Sequence, residues 1–205
     1  TGGASRPHDG AGSDDTTDLI RRLLAERVGV RAIARITGRS RSWAQGFVHY
    51  VLRVEADRTP GRPPQAGPVV IEADELWSFV RSKAEVRWVW AALDADTRRV
   101  LGMVVGDRSA ATAQRLWDAI PGEYRSGAAV FTDFLASYRV VIPASQHRAV
   151  GKDSGLTAHV ERLWLTPPPP RWARFVRKTL SFSKCERNHP GALWYFVRLY
   201  NGCRR

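Results

Sequence analysis

Glu72, Asp74 and Glu75 stand within four positions in "EADELW" (72–77), directly after the apolar run "VVI". A further carboxylate, Asp133, closes the apolar run "AVFTD", and Glu161 follows "AHV" where a helix would be starting. Carboxylates a few ångströms apart repel and shift each other's pKa, so a bare pair is costly. A divalent cation removes that cost. Mg2+ takes hard oxygen donors, usually one or two carboxylates together with phosphate oxygens and water. The chain around these acids is basic, with 32 Lys+Arg against 20 Asp+Glu and a formal charge of +12. Acids gathered in a cationic chain point to a metal-dependent phosphoryl-transfer centre inside a nucleic-acid-binding surface. An Asp at the end of a strand also serves as a turn or cap residue, the reading that suits "DADT" and "GDR".

For Asp74 and Asp133 to meet, a strand ending near Asp74 and one ending at Asp133 must lie parallel and adjacent at one edge of an α/β sheet. The runs "VVIEADELWSFV", "VRWVWAALDADT" and "RVLGMVVGDR" are rich in Val, Trp and Ile. Their short connections, "RSKAE" and "DADTRR", predict an antiparallel meander. "AATAQRLWDAIP" predicts an amphipathic helix and "GAAVFTDF" a short, fully apolar strand. Residues 135–157 read as less regular. "HVERLW" follows, and the basic, aromatic closing segment from "RWARF" to "VRLYN" reads as largely helical. Together these make an α/β layer architecture.

The N-terminal part differs in character. Residues 1–15 read as a disordered leader, or the cut end of something longer. Residues 16–56 read as helices, with Leu19, Leu23 and Leu24, then Ile33 and Ile36, at helical spacing. "TGRSRS" interrupts the pattern with Gly38 and serines able to cap a new helix. The layout is that of a helix-turn-helix, with a generic three-helix packing unit as the alternative. Arg39, Arg41, Ser42 and Gln45 would fall at or near the N-terminus of the recognition helix, and Arg35 is a further candidate DNA contact. "DRTPGRPPQAGP" (57–68), with four prolines and two glycines, reads as a linker, which leaves 69–205 as the second domain. No run suits a membrane span or a signal peptide. Cys185 and Cys203 lack metal-ligand spacing, which argues against structural zinc and for a reducing cytoplasm.

Several ordered motifs then become specific. "EADELW", "RWVWAALDADTRRVLGMVVGDRS", "FTDF", "VGKDSGLTAHVERLW" and "RKTLSFSK" with "NHPGALWYFVRLYN" together resemble a transposase of the insertion-sequence-one (IS-one) family, from residue 69 onward. "RAIARITGRSRSW" (31–43) is similar to that family's N-terminal DNA-binding part. The resemblance implies an RNase H-like catalytic domain, a mixed sheet with flanking helices, carrying a DDE triad of Asp74, Asp133 and Glu161. It implies a prokaryotic, nucleoid-associated enzyme that recognises terminal inverted repeats, cuts 3′ ends and joins them to target DNA. Two Mg2+ ions, with Mn2+ as substitute, would be bridged by Asp74 and held by Asp133 and Glu161, about 3.5–4 Å apart. Arg171, Arg174, Arg177, Lys178 and Lys184 would contact phosphates of double-stranded DNA, and the chain would act as a homo-oligomer on it, with no membrane partner.

The chain departs from the family in three places. It has no N-terminal cysteines for the zinc-binding segment that members often carry. Phe134 follows the second Asp where Gly is usual. Pro167 to Pro170 interrupt a stretch that in relatives reads as one basic helix. Interior prolines break helices, so a helix through Glu161 must stop near Leu165 or Thr166. Glu161 would then be poorly held and this copy weakly active or inactive. Two other readings stay open: a non-catalytic helix-turn-helix regulator, and an RNase H-like nuclease that cuts without joining.

Overall fold

Long runs of β-branched and aromatic residues favour extended backbone, and three of them pair as a meander. In the computed structural model, β1 (Val70–Phe79), β2 (Val86–Asp94) and β3 (Val100–Gly106) are antiparallel neighbours. The β1–β2 ladder runs from Ile71↔Asp94 to Phe79↔Val86. β4 (Ala129–Thr132) lies parallel to β1 from Val70↔Ala129 to Glu72↔Phe131, and β5 (His147–Ala149) lies parallel to β4. The five-stranded mixed sheet has the order β3-β2-β1-β4-β5. The structure describes residues 14–26, 28–56, 68–165 and 186–202.

Two Asp residues act as turn and cap groups, as their sequence contexts suggested. Asp94 Oδ1 accepts the Asp96 N–H and its Oδ2 the Thr97 hydroxyl, which closes the β2–β3 turn. Asp107 Oδ1 accepts from the Ser109 and Thr112 hydroxyls, while Ser109 caps α4 (Ala110–Ala119) through the Thr112 N–H. The chain continues through α5 (Gly122–Arg125), α6 (Ala136–Val141) and α7 (Ala158–Leu165). One sheet face buries Ile71, Ala73, Trp90 and Ala92 against Ala113, Leu116 and Ile120 at α4 and Tyr138 of α6. Each such large side chain contributes roughly 1.5–3 kcal/mol by leaving water. Side chains alternate along β1, so Glu72 and Asp74 point to the opposite face, where α7 packs. With helices on both faces of a mixed sheet, the architecture is the RNase H-like one that the motifs implied. Asn201 closes the edge of β3, its side chain pairing with both the N–H and the C=O of Val100.

Two expectations about the sheet need correction. β1 does not end near Asp74 but continues to Phe79, because β2 pairs with it along its whole length. The strand that stops is β4. The stretch 135–157 is also more regular than it reads: α6 has six residues and β5 three, too few to display a period.

The N-terminal helices are α1 (Asp14–Ala25), α2 (Val30–Thr37) and α3 (Arg41–Ala56). Gly38 ends α2 with φ +65, a left-handed conformation that suits glycine. Ser40 Oγ then accepts the Trp43 N–H and starts α3. Ile20, Ile33, Ala44, Phe47, Val48 and Val51 form the core, whereas Leu19 and Ile36 are exposed. The closing helix, His189–Gly202, differs from the expected domain assignment. Residues 186–199 cluster with α1–α3, not with the sheet. Tyr195 is buried in that core and its hydroxyl donates to the Arg21 carbonyl at 2.5 Å. Gly191 abuts Leu52, where any Cβ would collide with backbone. No helix among the described residues is long and apolar enough to cross a membrane. Pro167 to Pro170 and the basic residues Arg171, Arg174, Arg177, Lys178 and Lys184 lie outside the described residues, as do 1–13 of the expected leader and 57–67 of the linker; Asp14 and Asp15, expected in the leader, instead begin α1.

Candidate active site

The β1–β4 register sets Glu72 beside Phe131. Two residues further on, Asp74 in mid-strand stands level with Asp133, just past the end of β4. Carboxylate oxygens of Asp74, Glu75 and Asp133 all lie within 4.8 Å of one another. Asp133 Oδ1 accepts the Leu135 N–H at 2.9 Å, and Asp74 Oδ2 accepts the Trp164 indole N–H at 3.1 Å. The Thr132 hydroxyl donates to the Asp133 carbonyl at 2.7 Å. With that proton used, Thr132 Oγ1 accepts from His147 Nε2 at 2.8 Å, which places the imidazole proton on Nε2. Burial raises the Asp74 pKa, opposed by the Glu75 and Trp164 N–H groups and reinforced by the charges of Asp133 and Glu161.

Glu75 is the member of the cluster that the sequence reading did not select. Its Oε1 accepts from Arg108 Nη2 at 2.5 Å and its Oε2 from the Tyr138 hydroxyl at 3.1 Å. Burial pushes its pKa up to about 7, with the charge of Asp133 adding to the rise and Arg108 opposing it. Burial and the nearby carboxylates also hold the Tyr138 phenol well above its ordinary range. The Arg108 guanidinium in turn lies 4.6 Å from the centre of the Trp88 ring. The only sequence signal for Glu75 was its place in the acidic stretch. Neighbouring strand residues point to opposite faces, so Glu75 reaches the cluster from the α6 side of the sheet and Asp74 from the α7 side.

Glu161 is carried toward the site by α7 but stands outside the three-carboxylate cluster. Its Oε1 accepts the Thr157 hydroxyl at 3.1 Å. What docks α7 is Glu72, a buried side chain at 2 % exposure. Glu72 Oε2 accepts the N–H groups of His159 and Val160 at 2.8 and 3.0 Å, and Oε1 pairs with His159 Nδ1 at 2.5 Å. A carboxylate at a helix N-terminus satisfies orphan donors and complements the dipole. Burial still raises the Glu72 pKa, against the pull of the Val160 N–H.

The donor set suits a hard cation such as Mg2+, which favours a few carboxylate oxygens. Both Glu75 oxygens are engaged by Arg108 and Tyr138. Asp74 and Asp133 each keep lone pairs beyond the hydrogen bonds named above, so they are the pair fitted to hold it. Among the helix-turn-helix candidates, Arg35, Arg41, Ser42 and Gln45 are exposed, the last three within the first turns of α3. Arg39 lies with its guanidinium 5.2 Å from the centre of the Trp43 ring.

Comparison with known proteins agrees with this geometry. The family model for the IS1 transposase matches residues 68–200, which contain the whole sheet, the acid cluster and α7. The iso-IS1n protein InsB of Shigella dysenteriae is 33% identical over 129 residues, covering 63% of this chain and 94% of its own length. The IS1 protein InsB of Shigella flexneri is 29% identical over 141 residues, or 64% of this chain and 95% of the relative. An IS1 InsB protein of Escherichia coli K12 is 29% identical over 169 residues, covering 77% of this chain and 92% of that protein. Most of the chain thus shares one sequence pattern with these proteins over the segment that builds the acidic centre, and it belongs to the IS1 transposase family.

Proposed function

We propose that this chain is a DNA transposase of an insertion sequence, binding terminal inverted repeats and carrying out metal-dependent 3′-end cleavage and strand transfer. The observation that carries the reading is the juxtaposition of Asp74 on β1 with Asp133 just past the end of the parallel neighbour β4, with carboxylate oxygens within 4.8 Å. Mg2+, with Mn2+ as substitute, is the cofactor that this donor set fits. When bound, it supplies Lewis-acid stabilisation of the scissile phosphate and lowers the pKa of the attacking water or hydroxyl. Asp74 and Asp133 contribute the negative charge and oxygen donors, and Glu161, on α7, is the third carboxylate of the triad. Trp164 orients Asp74, and Glu72 holds the helix that carries both Trp164 and Glu161. Arg108 balances Glu75, which keeps a further carboxylate from adding full repulsion to the pair.

The N-terminal helices are the reading head of this proposal. Arg41, Ser42 and Gln45 face solvent at the start of α3, where a recognition helix meets phosphates and base edges. Arg35 and Arg39 flank them. The basic residues Arg171, Arg174, Arg177, Lys178 and Lys184 add phosphate contacts with double-stranded DNA, on which the chain assembles as a homo-oligomer. The place of action is the nucleoid of a prokaryotic cytoplasm. Pro167 to Pro170, so soon after Glu161, make this a copy with weakened activity.

The test uses DNA carrying the element's ends, with Mg2+, and scores nicked and joined products separately. Asp74→Asn and Asp133→Asn are expected to abolish cleavage while keeping DNA binding, since an amide keeps the shape but not the charge that holds the cation. Near-normal cleavage by either variant removes that residue from the centre. Nicks without joined strands favour a nuclease, and binding with neither product in the wild-type chain favours a regulator.

A further inference from the structure

We propose that Phe134 is a stacking platform for an unpaired nucleobase of the DNA strand held at the acid cluster. The inference rests on the DNA-processing reading of that cluster and adds a base-binding residue to it. Phe134 directly follows Asp133, and 66% of it is exposed. Thr132 is fully buried before it, and Leu135 packs against the core after it. The Asp133 carboxylate pins the intervening turn by accepting the Leu135 N–H at 2.9 Å. The side chain is therefore presented outward on a fixed backbone beside the carboxylates. A Cβ placed on Gly151 would lie 3.8 Å from Phe134 Cε2, so the ring runs along bare backbone on that side.

Phe134 is the residue next to Asp133, so a phosphate held at Asp74 and Asp133 would bring its own nucleotide toward this ring. Every base has a π-face, so an exposed aromatic next to a phosphate site takes bases with little sequence preference. Arg108, whose side chain is 42% exposed, supplies positive charge beside Glu75 in the same cluster. A base in a duplex is already stacked on both faces, so the ligand is a nucleotide frayed or extruded at the position of cleavage.

The experiment binds the full chain, in Ca2+, to a short DNA duplex whose single-stranded overhang carries 2-aminopurine, a base whose fluorescence falls on stacking. The wild-type chain is expected to quench it severalfold. Phe134→Ala should lose the quenching and bind about tenfold more weakly, the effect of removing one stacked base. Phe134→Trp should restore both, with thermal midpoints unchanged because the site is exposed. No quenching by the wild-type chain, or equal quenching and affinity in Phe134→Ala, overturns the proposal. Mg2+-dependent cutting is scored separately. Quenching without cutting supports the platform and counts against the cleavage reading alone; cutting with unchanged quenching in Phe134→Ala does the reverse.

Discussion

The indole N–H of Trp164 donates to Asp74 Oδ2 at 3.1 Å, joining α7 to the acidic centre of β1 across 90 residues of chain. That bond orients the one carboxylate that stands level with Asp133. It also opposes the burial that raises the Asp74 pKa.

Trp164→Phe keeps an aromatic ring, though a smaller one, and removes the donor. The Asp74 carboxylate should then take up a proton more readily and hold a cation less well. Partners of metal ligands typically account for 10–100-fold in affinity. Mn2+ titration followed by electron paramagnetic resonance should show a loss of about tenfold or more. Unchanged Mn2+ affinity would make Trp164 a packing residue only.

Glu72 binds the two backbone N–H groups that begin α7. Glu72→Ala leaves them without an acceptor in a buried place and should cost about 2 kcal/mol or more in urea denaturation. Glu72→Gln keeps an acceptor oxygen and should cost roughly half as much, since hydrogen bonds to a charged acceptor are about twice as strong as neutral ones. Equal losses in the two variants would shift the explanation from capping to volume.

Arg41 and Gln45 test the recognition helix, in the full chain. Arg41→Ala should weaken binding to all DNA sequences and flatten the salt dependence by about one unit of slope. Gln45→Ala should instead relax discrimination at one base pair, by about 1–3 kcal/mol. If neither change moves affinity or selectivity, α3 is a packing helix and DNA is read elsewhere.

Asp107 gives a pH signature remote from the acidic centre. Hydrogen bonds from Ser109 and Thr112 hold its pKa down to about 2, below its ordinary 3.8. A depressed carboxylate stabilises the fold fully above its unfolded value, and the contribution fades as pH falls through the folded one. The gap in urea midpoint between the wild-type chain and Asp107→Asn should therefore be constant above about pH 5. It should close as the pH falls from near 3.8 toward about 2. A gap that does not change with pH would assign the effect to shape rather than charge.

The sequence by itself determined four of the five strands, the N-terminal helices with their turn at Gly38, and the approach of Asp74 to Asp133. Those are local properties: β-branched runs, a glycine and a serine at a helix boundary, carboxylates at the edge of apolar segments. It also set an expectation for α7, that a helix through Glu161 stops before Pro167, a stretch that lies outside the described residues. Only the tertiary structure decided which acids share a site. β2 extends β1 well beyond Asp74, while β4 stops at Thr132, so the meeting point falls in mid-strand. Glu72 and Glu75 look alike in sequence, three positions apart in one strand. One reaches the N-terminus of a helix 87 residues away and the other pairs with Arg108 and Tyr138. A carboxylate's role depends on which donors surround it after folding, and those donors come from strand pairing and helix packing that no local pattern records.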